Sequence, residues 1–302
     1  MLHLGPGVTL ERALDLSPFT LPFDLLFPGR DIADLDGARD WLAPLHVDFA
    51  AQTILLDVQS HVLRIGDKVI LIDTCVGEHK HRPRRADWHN RAATGYLDRL
   101  AALGLRAEDV DVVFCTHLHT DHVGWNTRLE NGRWVPTFPR ARYLVGEAEL
   151  AHWLAEEARA PGEANHGCFA DSVQPVLDAG LMETVADGAD LCCGMALEAT
   201  TLTVTPTPGH TPGHRALTLR RRDVTALLCG DAIHTPAQLY RPDWYSRFCS
   251  DGPLAVATRR ALLQEATEHG HILVPGHLRG AMGMRVHPLE APHGDVWKPE
   301  WL

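Results

Sequence analysis

Short apolar runs separated by turn residues dominate the chain from about residue 53 onward. Residues 61–65 (HVLRI) and 68–73 (KVILID) are two such runs, and Gly66-Asp67 lies between them. Runs of this length around a glycine-containing pair are typical of a β-hairpin. A third run, residues 110–115 (VDVVFC), has the composition of a buried strand. The pattern therefore predicts a β-sheet that includes this hairpin.

Helices are predicted where apolar residues return every three or four positions. Residues 146–158 and 253–269 have this pattern. A shorter helix is predicted to end at a glycine and to have four apolar residues on one face: Tyr96, Leu97, Leu100 and Leu103, followed by Gly104. Further strands are predicted at residues 142–145, 202–205, 216–219, 224–229 and 271–274.

The order of these elements predicts a mixed α/β (α+β) fold in one domain, residues 1–302. Strands and helices follow one another without the strict alternation of a doubly wound parallel sheet. No internal repeat, low-complexity tract or linker divides the chain. We expect residues 1–50 to be irregular and to form an arm or a lid. A proline-punctuated apolar segment at residues 19–28 would pack into the fold, cover the site or contact a second copy in a homodimer.

Composition and charge argue against several classes of partner. The 302 residues have a formal charge of −11 with histidine neutral, and no basic stripe suggests a nucleic acid partner. No apolar run reaches the roughly 18 residues that cross a bilayer, and the first residues lack the features of a signal peptide. The seven cysteines follow no paired-motif spacing, which predicts reduced thiols. We therefore expect a cytoplasmic protein that binds neither a nucleic acid nor a membrane.

Four potential metal ligands occur within six residues directly after the predicted strand at 110–115. They are His117, His119, Asp121 and His122. In an extended chain, residues two apart share a face, so His117 and His119 can bind one metal together. Asp121 and His122 lie past the bend and can face a second metal. Imidazole suits zinc, iron, nickel or copper, and a carboxylate adds hard oxygen character.

Three further potential ligands each follow a predicted strand. His210 ends the run TVTPTPGH, Asp231 ends ALLCGD, and His277 ends ILVPGH. Loops at one edge of a sheet are where a rigid scaffold presents functional groups. A lone histidine is more often a surface or core residue, and twelve others are interpreted in that way: His3, His46, His61, His79, His81, His89, His152, His166, His269, His271, His287 and His293.

Together these residues resemble the signature of the metallo-β-lactamase superfamily. The H-x-H-x-D-H element is residues 117–122, and His210, Asp231 and His277 match the later ligands. Asp73 also matches, at a position that usually supports the site. The resemblance covers about residues 59–285. It implies an αββα sandwich with a metal site at one edge of two packed sheets.

The resemblance implies two divalent metal ions, with Zn²⁺ expected. One ion would be held by His117, His119 and His210, the other by Asp121, His122 and His277, and Asp231 would bridge them. Two metals about 3.5–4 Å apart share a hydroxide and stabilise the oxygens of a displacement. A bound cation also lowers the pKa of water toward about 7. Asp121, Asp231 and His234 are the candidate catalytic residues.

Within the superfamily, the chain resembles the acyl-homoserine lactonases and the methyl parathion hydrolase-like proteins. The similar segments are residues 73–77 (DTCVG), 121–126 (DHVGWN) and 230–234 (GDAIH). Some lactonases have a tyrosine three residues after the bridging aspartate, where this chain has His234. Two roles are open for this histidine, a hydrogen bond to substrate or support of the site. Tyr240 and Tyr245 are further candidates for the pocket.

The resulting hypothesis is a dinuclear-metal hydrolase that uses a metal-bridging hydroxide to open a small neutral ester or lactone. An N-acyl-homoserine lactone is the leading candidate substrate. The alternatives are hydrolysis of a phosphotriester or a β-lactam, an iron-dependent redox reaction on the same fold, and a non-catalytic ligand-binding protein. The complete set of ligands argues against the last of these.

Overall fold

The chain folds into two facing β-sheets. A computed structural model describes residues 1–192, 199–291 and 294–302. The strands in these ranges are β1 Leu2–His3, β2 Val8–Pro22, β3 Val47–Asp48, β4 Thr53–Ile65, β5 Lys68–Ile72, β6 Val112–Cys115, β7 Thr127–Glu130, β8 Arg133–Pro136, β9 Arg142–Gly146, β10 Met182–Val185, β11 Thr200–Pro206, β12 Arg215–Arg221, β13 Val224–Gly230, β14 Ile272–Pro275, β15 Met284–Leu289 and β16 Val296–Trp301. The α-helices are α1 Phe23–Leu26, α2 Arg39–Leu42, α3 Tyr96–Ala102, α4 Thr120–Val123, α5 Glu147–Arg159, α6 Gln174–Asp178, α7 Ala237–Tyr240 and α8 Gly252–His269.

The strands form two mixed sheets and a separate hairpin. The first sheet has the order β1-β2-β4-β5-β6-β9-β10, with β3 paired to β4. The second has the order β11-β12-β13-β14-β15-β16, and β7 pairs with β8. Strand β6 is parallel to both of its neighbours, and β13 is parallel to β14. Because parallel strands end at the same edge of a sheet, the loops after β13 and β14 emerge side by side.

Alternate residues of the central strands face different layers. In β4, Leu63 packs between the two sheets, while Val62 packs on the outer side of the first sheet. In β13, Leu228 faces the first sheet, while Leu227 packs outward with Leu262 of α8. This period of two is what a strand buried on both faces requires. The predicted mixed α/β fold with two packed sheets is confirmed.

Most of the predicted elements are confirmed within a few residues. The hairpin predicted at residues 61–73 is β4–β5, in which His61 pairs with Ile72, and Gly66 in its turn has φ +62°. The two long predicted helices are α5 and α8. Helix α8 begins where the Asp251 side chain accepts a hydrogen bond from the Leu254 N–H, 2.9 Å away. It ends at a left-handed glycine, Gly270.

The prediction that residues 1–50 are irregular is wrong. They contain β2, a 15-residue strand that pairs with β4 from Val8 opposite Ile65 to Pro22 opposite Thr53. Proline cannot donate to a strand ladder, which makes a proline-punctuated segment look irregular in sequence. In the structure Pro18 lies within a register shift, between Leu16 and Phe19, and Pro22 is the last residue of the strand. That residues 1–302 form one domain stays a prediction.

Two residues of the sequence analysis, Cys193 and His293, lie outside the described residues. The other six cysteines are free thiols. Among the helices of the described ranges, none is long and apolar enough to cross a membrane.

Candidate metal centre

Four loops bring the predicted ligands together at one edge of the two sheets. The loop after β6 carries His117 and His119 and continues into α4, which places Asp121 and His122 past the bend. The loop between β11 and β12 carries His210, and Asp231 and His277 follow β13 and β14. The side chains of all seven residues lie in overlapping groups whose ligand atoms are within 4.8 Å of one another.

Three imidazole rings converge on one point. Nε2 of His117 lies 3.1 Å from Nδ1 of His119 and 3.1 Å from Nε2 of His210, and the last two nitrogens are 2.8 Å apart. Two nitrogens bound to one tetrahedral zinc at about 2.0–2.1 Å are separated by roughly 3.3 Å. The spacing of the three nitrogens is therefore close to that of a shared metal ion.

Asp231 lies between this group of imidazoles and a second group. Its Oδ2 is 3.3 Å from Nε2 of His210 and 3.4 Å from Nε2 of His122. Its Oδ1 is 3.3 Å from Nε2 of His277. Oδ2 of Asp121 is 3.7 Å from the same nitrogen of His277. Oδ2 of Asp231 thus lies near ligand atoms of both groups, and Oδ1 faces the second group.

Unsatisfied buried atoms in this cluster fit a bound cation. Nε2 of His122 and Oδ1 of Asp231 are buried and have no hydrogen-bond partner. Leaving such atoms without a partner costs about 1–3 kcal/mol each, and more when they are charged. Coordination to a metal would satisfy both. Imidazoles with a few carboxylates are also a donor set that divalent zinc prefers.

The electrostatics separate the two groups of imidazoles. Burial and the neighbouring imidazoles lower the pKa of His117 and of His210 well below the ordinary value. Burial lowers the pKa of His122, but the Asp231, Asp73 and Asp121 carboxylates outweigh it and raise that pKa well above normal. The first group is therefore neutral and ready to coordinate, whereas a metal at His122 must displace a proton.

Further hydrogen bonds orient the ligand rings. Nδ1 of His122 donates to Oδ2 of Asp73 at 2.8 Å, and Nδ1 of His277 donates to the Asp57 carbonyl at 2.9 Å. Both bonds leave Nε2 pointing into the site, which is the arrangement that ligating histidines require. Asp73 also accepts the Thr116 N–H at 2.8 Å, directly before His117. Its contacts agree with the supporting role predicted for it.

We expect Asp73→Asn to weaken zinc binding about 10- to 100-fold, as is usual for groups that orient metal ligands. The amide nitrogen would donate to Nδ1 of His122 and move the ring proton to Nε2, the atom that faces the site. Competition with a chromophoric chelator measures the affinity, and the exposed Asp67→Asn is the matched control. Unchanged affinity in Asp73→Asn would show that this hydrogen bond does not orient the ligand.

A buried carboxylate that the sequence analysis missed joins two of the ligand loops. Oε1 of Glu149 accepts the Leu118 N–H at 2.9 Å and the Trp153 indole N–H at 2.6 Å. Its Oε2 accepts the Thr211 hydroxyl at 2.6 Å and the Gly213 N–H at 3.1 Å. Leu118 lies between two predicted ligands, and Thr211 follows His210. Glu149 has no sequence signal, because it is one of several glutamates on α5 and its partners are distant in sequence.

His214 and His234 have different surroundings. Nε2 of His214 accepts the Asp231 N–H at 3.1 Å, and its Nδ1 lies 2.7 Å from the Thr207 hydroxyl. Nε2 of His234 lies 3.3 Å from both Asp231 Oδ2 and the Ser246 hydroxyl. Burial lowers the pKa of His234 to about 4, against the opposing effect of Asp231, so its ring is neutral.

A cleft with two different walls opens at this cluster and contains about 650 Å³ of space, part of it open solvent. The apolar wall comes largely from the segment that was predicted to be an arm, and consists of Phe19, Leu21, Leu26, Leu56 and Phe248. The rest of the lining is more polar, and we call it the polar wall: Arg85, Trp88, Thr120, Asn165 and His166. It meets the apolar wall where the Trp88 ring centroid lies 5.6 Å from that of Phe19. His166 was interpreted as an ordinary histidine. The tyrosine candidates, Tyr240 and Tyr245, do not line the described cleft.

Sequence comparisons place the cluster inside a known family profile. The profile described as the metallo-beta-lactamase superfamily matches residues 54–277. An N-acyl homoserine lactonase of Rhizobium radiobacter, AttM, is 29% identical over 188 residues, which are 61% of this chain and 64% of the relative. A probable metallo-hydrolase of Mycobacterium tuberculosis is 26% identical over 191 residues, 58% of this chain and 56% of the relative. The chain thus spans less than two thirds of the length of these curated relatives.

Solved structures of similar fold cover nearly the whole chain. A dizinc quorum-quenching lactonase, AidC, in complex with a product has a TM-score of 0.76 at 21% identity, covering 100% of this chain and 97% of its own. A hydrolase of the beta lactamase superfamily, AbOPH, has a TM-score of 0.76 at 22% identity, covering 99% and 97%. At these identities the likeness establishes the fold.

Proposed function

Because the chain belongs to the metallo-beta-lactamase superfamily, we propose that it is a metal-dependent hydrolase that opens a small neutral ester or lactone. An N-acyl homoserine lactone is the leading substrate. The observation that carries the proposal is the convergence of five imidazoles and two carboxylates at the floor of a half-apolar cleft. Two similar proteins support the choice of a lactone. AttM is an N-acyl homoserine lactonase, and AidC is a dizinc lactonase whose structure contains a product.

Seven residues would hold two divalent ions, with Zn²⁺ expected. The assignment gives His117, His119 and His210 to one ion, Asp121, His122 and His277 to the other, and Asp231 to both. When bound, the metals would supply Lewis acidity and a nucleophile from water at neutral pH. The position of Asp231, whose carboxylate lies near both groups, supports its role between the ions.

Asp121, Asp231 and His234 are the proposed catalytic residues. The Asp121 carboxylate lines the cleft, where it can take a proton from the attacking water and pass it to the leaving oxygen. Asp231 keeps the two groups of ligands in their relative positions. The neutral His234 ring also lines the cleft and can donate one hydrogen bond from Nε2, either to Asp231 or to substrate.

The walls of the cleft suit a substrate that has an apolar acyl chain next to a polar group. Phe19, Leu21 and Leu26 offer a surface without hydrogen-bond donors, on which an acyl chain loses contact with water. A lactone ring with its carbonyl toward the ligand cluster would then place the chain along this wall. Zinc as the native metal, location in the cytoplasm and a homodimer stay predictions.

Proton release from N-decanoyl homoserine lactone in weakly buffered solution tests the proposal. We expect rapid release by zinc-loaded protein, no release after removal of the metal by a chelator, and recovery on reloading. Two metals per chain without release from any lactone would contradict lactone hydrolysis. The same preparation is then tested on a phosphotriester and a β-lactam. Turnover of either would change the proposed substrate class but would leave the assignment as a hydrolase intact.

A further inference from the structure

One cation in the cleft has neither a hydrogen-bond acceptor nor a carboxylate partner among the described residues. Arg85 lies in the segment between β5 and α3 and lines the polar wall. Its guanidinium carbon is 4.3 Å from the centroid of the Trp88 ring and 5.4 Å from that of Phe19. Within residues 1–192, 199–291 and 294–302, its side chain makes neither a hydrogen bond nor an ion pair. Five N–H donors are therefore available in a half-buried, aromatic setting.

The segment that carries Arg85 is held firmly. The Arg82 guanidinium donates to both oxygens of Asp171, each bond being 2.7 Å long. The buried Lys80 ammonium donates to the Thr127 hydroxyl at 2.6 Å. These charged hydrogen bonds fasten the chain five and three residues before Arg85. The buried Trp88 side chain holds it three residues after Arg85, so the guanidinium is presented to the cleft by a segment held on both sides.

Two further polar groups on the same wall are also unsatisfied. The Trp88 indole Nε1 and the His166 Nδ1 are buried and have no hydrogen-bond partner. The two rings meet edge to face with their centroids 5.8 Å apart. Both nitrogens are closed off from solvent, so a ligand in the cleft reaches the partly exposed Arg85 and not these two atoms.

The nearest carboxylates do not neutralise Arg85. Burial lowers the pKa of its guanidinium, and Asp121 and Asp87 raise it only in part. Asp121 is one of the proposed metal ligands, so a bound metal ion would offset its negative charge. The cation–π contact with Trp88 stabilises the guanidinium but leaves its N–H donors for water or for an oxygen of a ligand.

We propose that Arg85 recognises an oxygen acceptor on the side arm of the substrate, an amide carbonyl or a carboxylate close to the hydrolysed ester. The inference rests on the proposed lactone hydrolysis and narrows its substrate class. A lactone whose arm is a plain alkyl chain would leave Arg85 unpaired. A lactone with an acylamide or a carboxylate would receive hydrogen bonds from the guanidinium, and its chain would continue along the apolar wall.

Three γ-butyrolactones that differ only in the arm on the α carbon test this. The arms are an alkyl chain, an acylamide of the same length, and a chain with a carboxylate near the ring. We expect Arg85→Met to lower kcat/KM about 10- to 100-fold for whichever arm supplies the acceptor, and to leave the alkyl lactone unchanged. Arg85→Lys should recover part of the loss. Arg84→Met is the matched control, because Arg84 is exposed and does not line the cleft.

The lactone whose kcat/KM falls in Arg85→Met shows which kind of oxygen, amide or carboxylate, the arginine recognises. A selective loss on the acylamide identifies an amide carbonyl, and a selective loss on the carboxylate arm identifies an anion. Equal losses on all three lactones, or no loss on any, would overturn the assignment of Arg85. Failure of the wild-type protein to open any of the three is a different result, since it contradicts lactone hydrolysis itself. In that case recognition is still tested by binding. The affinity for the acylamide lactone is measured from the quenching of tryptophan fluorescence in wild type and in Arg85→Met, and equal affinities would overturn the proposed role of Arg85.

Discussion

Replacing Asp231 with alanine is expected to remove bound metal and activity together. Asp231 places one oxygen 3.3 Å from His210 and the other 3.3 Å from His277. Without it, two cations would lie close together with one less negative charge between them. In the proposed mechanism the metals would supply several kcal/mol of transition-state stabilisation, so their loss should lower kcat/KM by at least about 10³-fold.

The effect of Asp231→Ala is measured as metal content per chain by elemental analysis, together with lactone turnover. His271→Ala is the matched control. His271 is a largely buried histidine one residue before β14, whose pKa is lowered by burial, and it does not belong to the ligand groups. We expect it to keep two metals and full activity. Retention of two metals by Asp231→Ala would contradict the bridging assignment, and metal loss in His271→Ala would show that the last strand was misinterpreted.

The convergence of the seven proposed ligands could be predicted from sequence because several of them follow strands with a strong local pattern. Residues 112–115 and 272–275 are continuous apolar runs, and a ligand-type side chain comes within two residues of each. Such runs are buried in the centre of a sheet, and their ends must turn at the sheet edge. The positions of His117 and His277 in space therefore follow from short stretches of chain.

Other parts of the site depend on contacts that no local pattern encodes. Glu149 is distinguished from Glu147 only by its partners at Leu118 and Thr211. Arg85 is distinguished from Arg84 only because its side chain lines the cleft, whereas that of Arg84 is exposed. In both pairs, residues of the same type lie close together in sequence. Tertiary structure alone separates the functional one from the solvent-exposed one.

The strand β2 was missed for a related reason. Its alternation of apolar residues is broken where the register against β4 shifts between Leu14 and Leu16 and again between Leu16 and Phe19. A register shift changes which face each side chain points to, so the period of two is lost across it. The consequence is functional, because Phe19 and Leu21, which follow the second shift, form part of the apolar wall.

Glu149→Gln is expected to destabilise the metal-loaded protein by about 3–5 kcal/mol. The carboxylate accepts four hydrogen bonds, two of them from backbone N–H groups of the two ligand loops. An amide in its place turns one acceptor oxygen into an NH₂ group that faces other donors. Since Glu149 is fully buried, water cannot replace the lost acceptor. For a chain of this length, the expected fall in Tm is roughly 5–10 °C.

Differential scanning calorimetry of the zinc-loaded variants measures this effect, and Glu147→Gln provides the control on the same helix. Glu147 is exposed, so the same loss of charge should change the Tm by no more than about 1 °C. We also expect Glu149→Gln to release zinc more readily to a chelator, because Leu118 lies between His117 and His119 and Thr211 follows His210. If the two variants melt together and hold zinc equally well, the four hydrogen bonds do not fasten the ligand loops. A lower Tm with unchanged zinc affinity would show that Glu149 stabilises the fold but does not position the metal ligands.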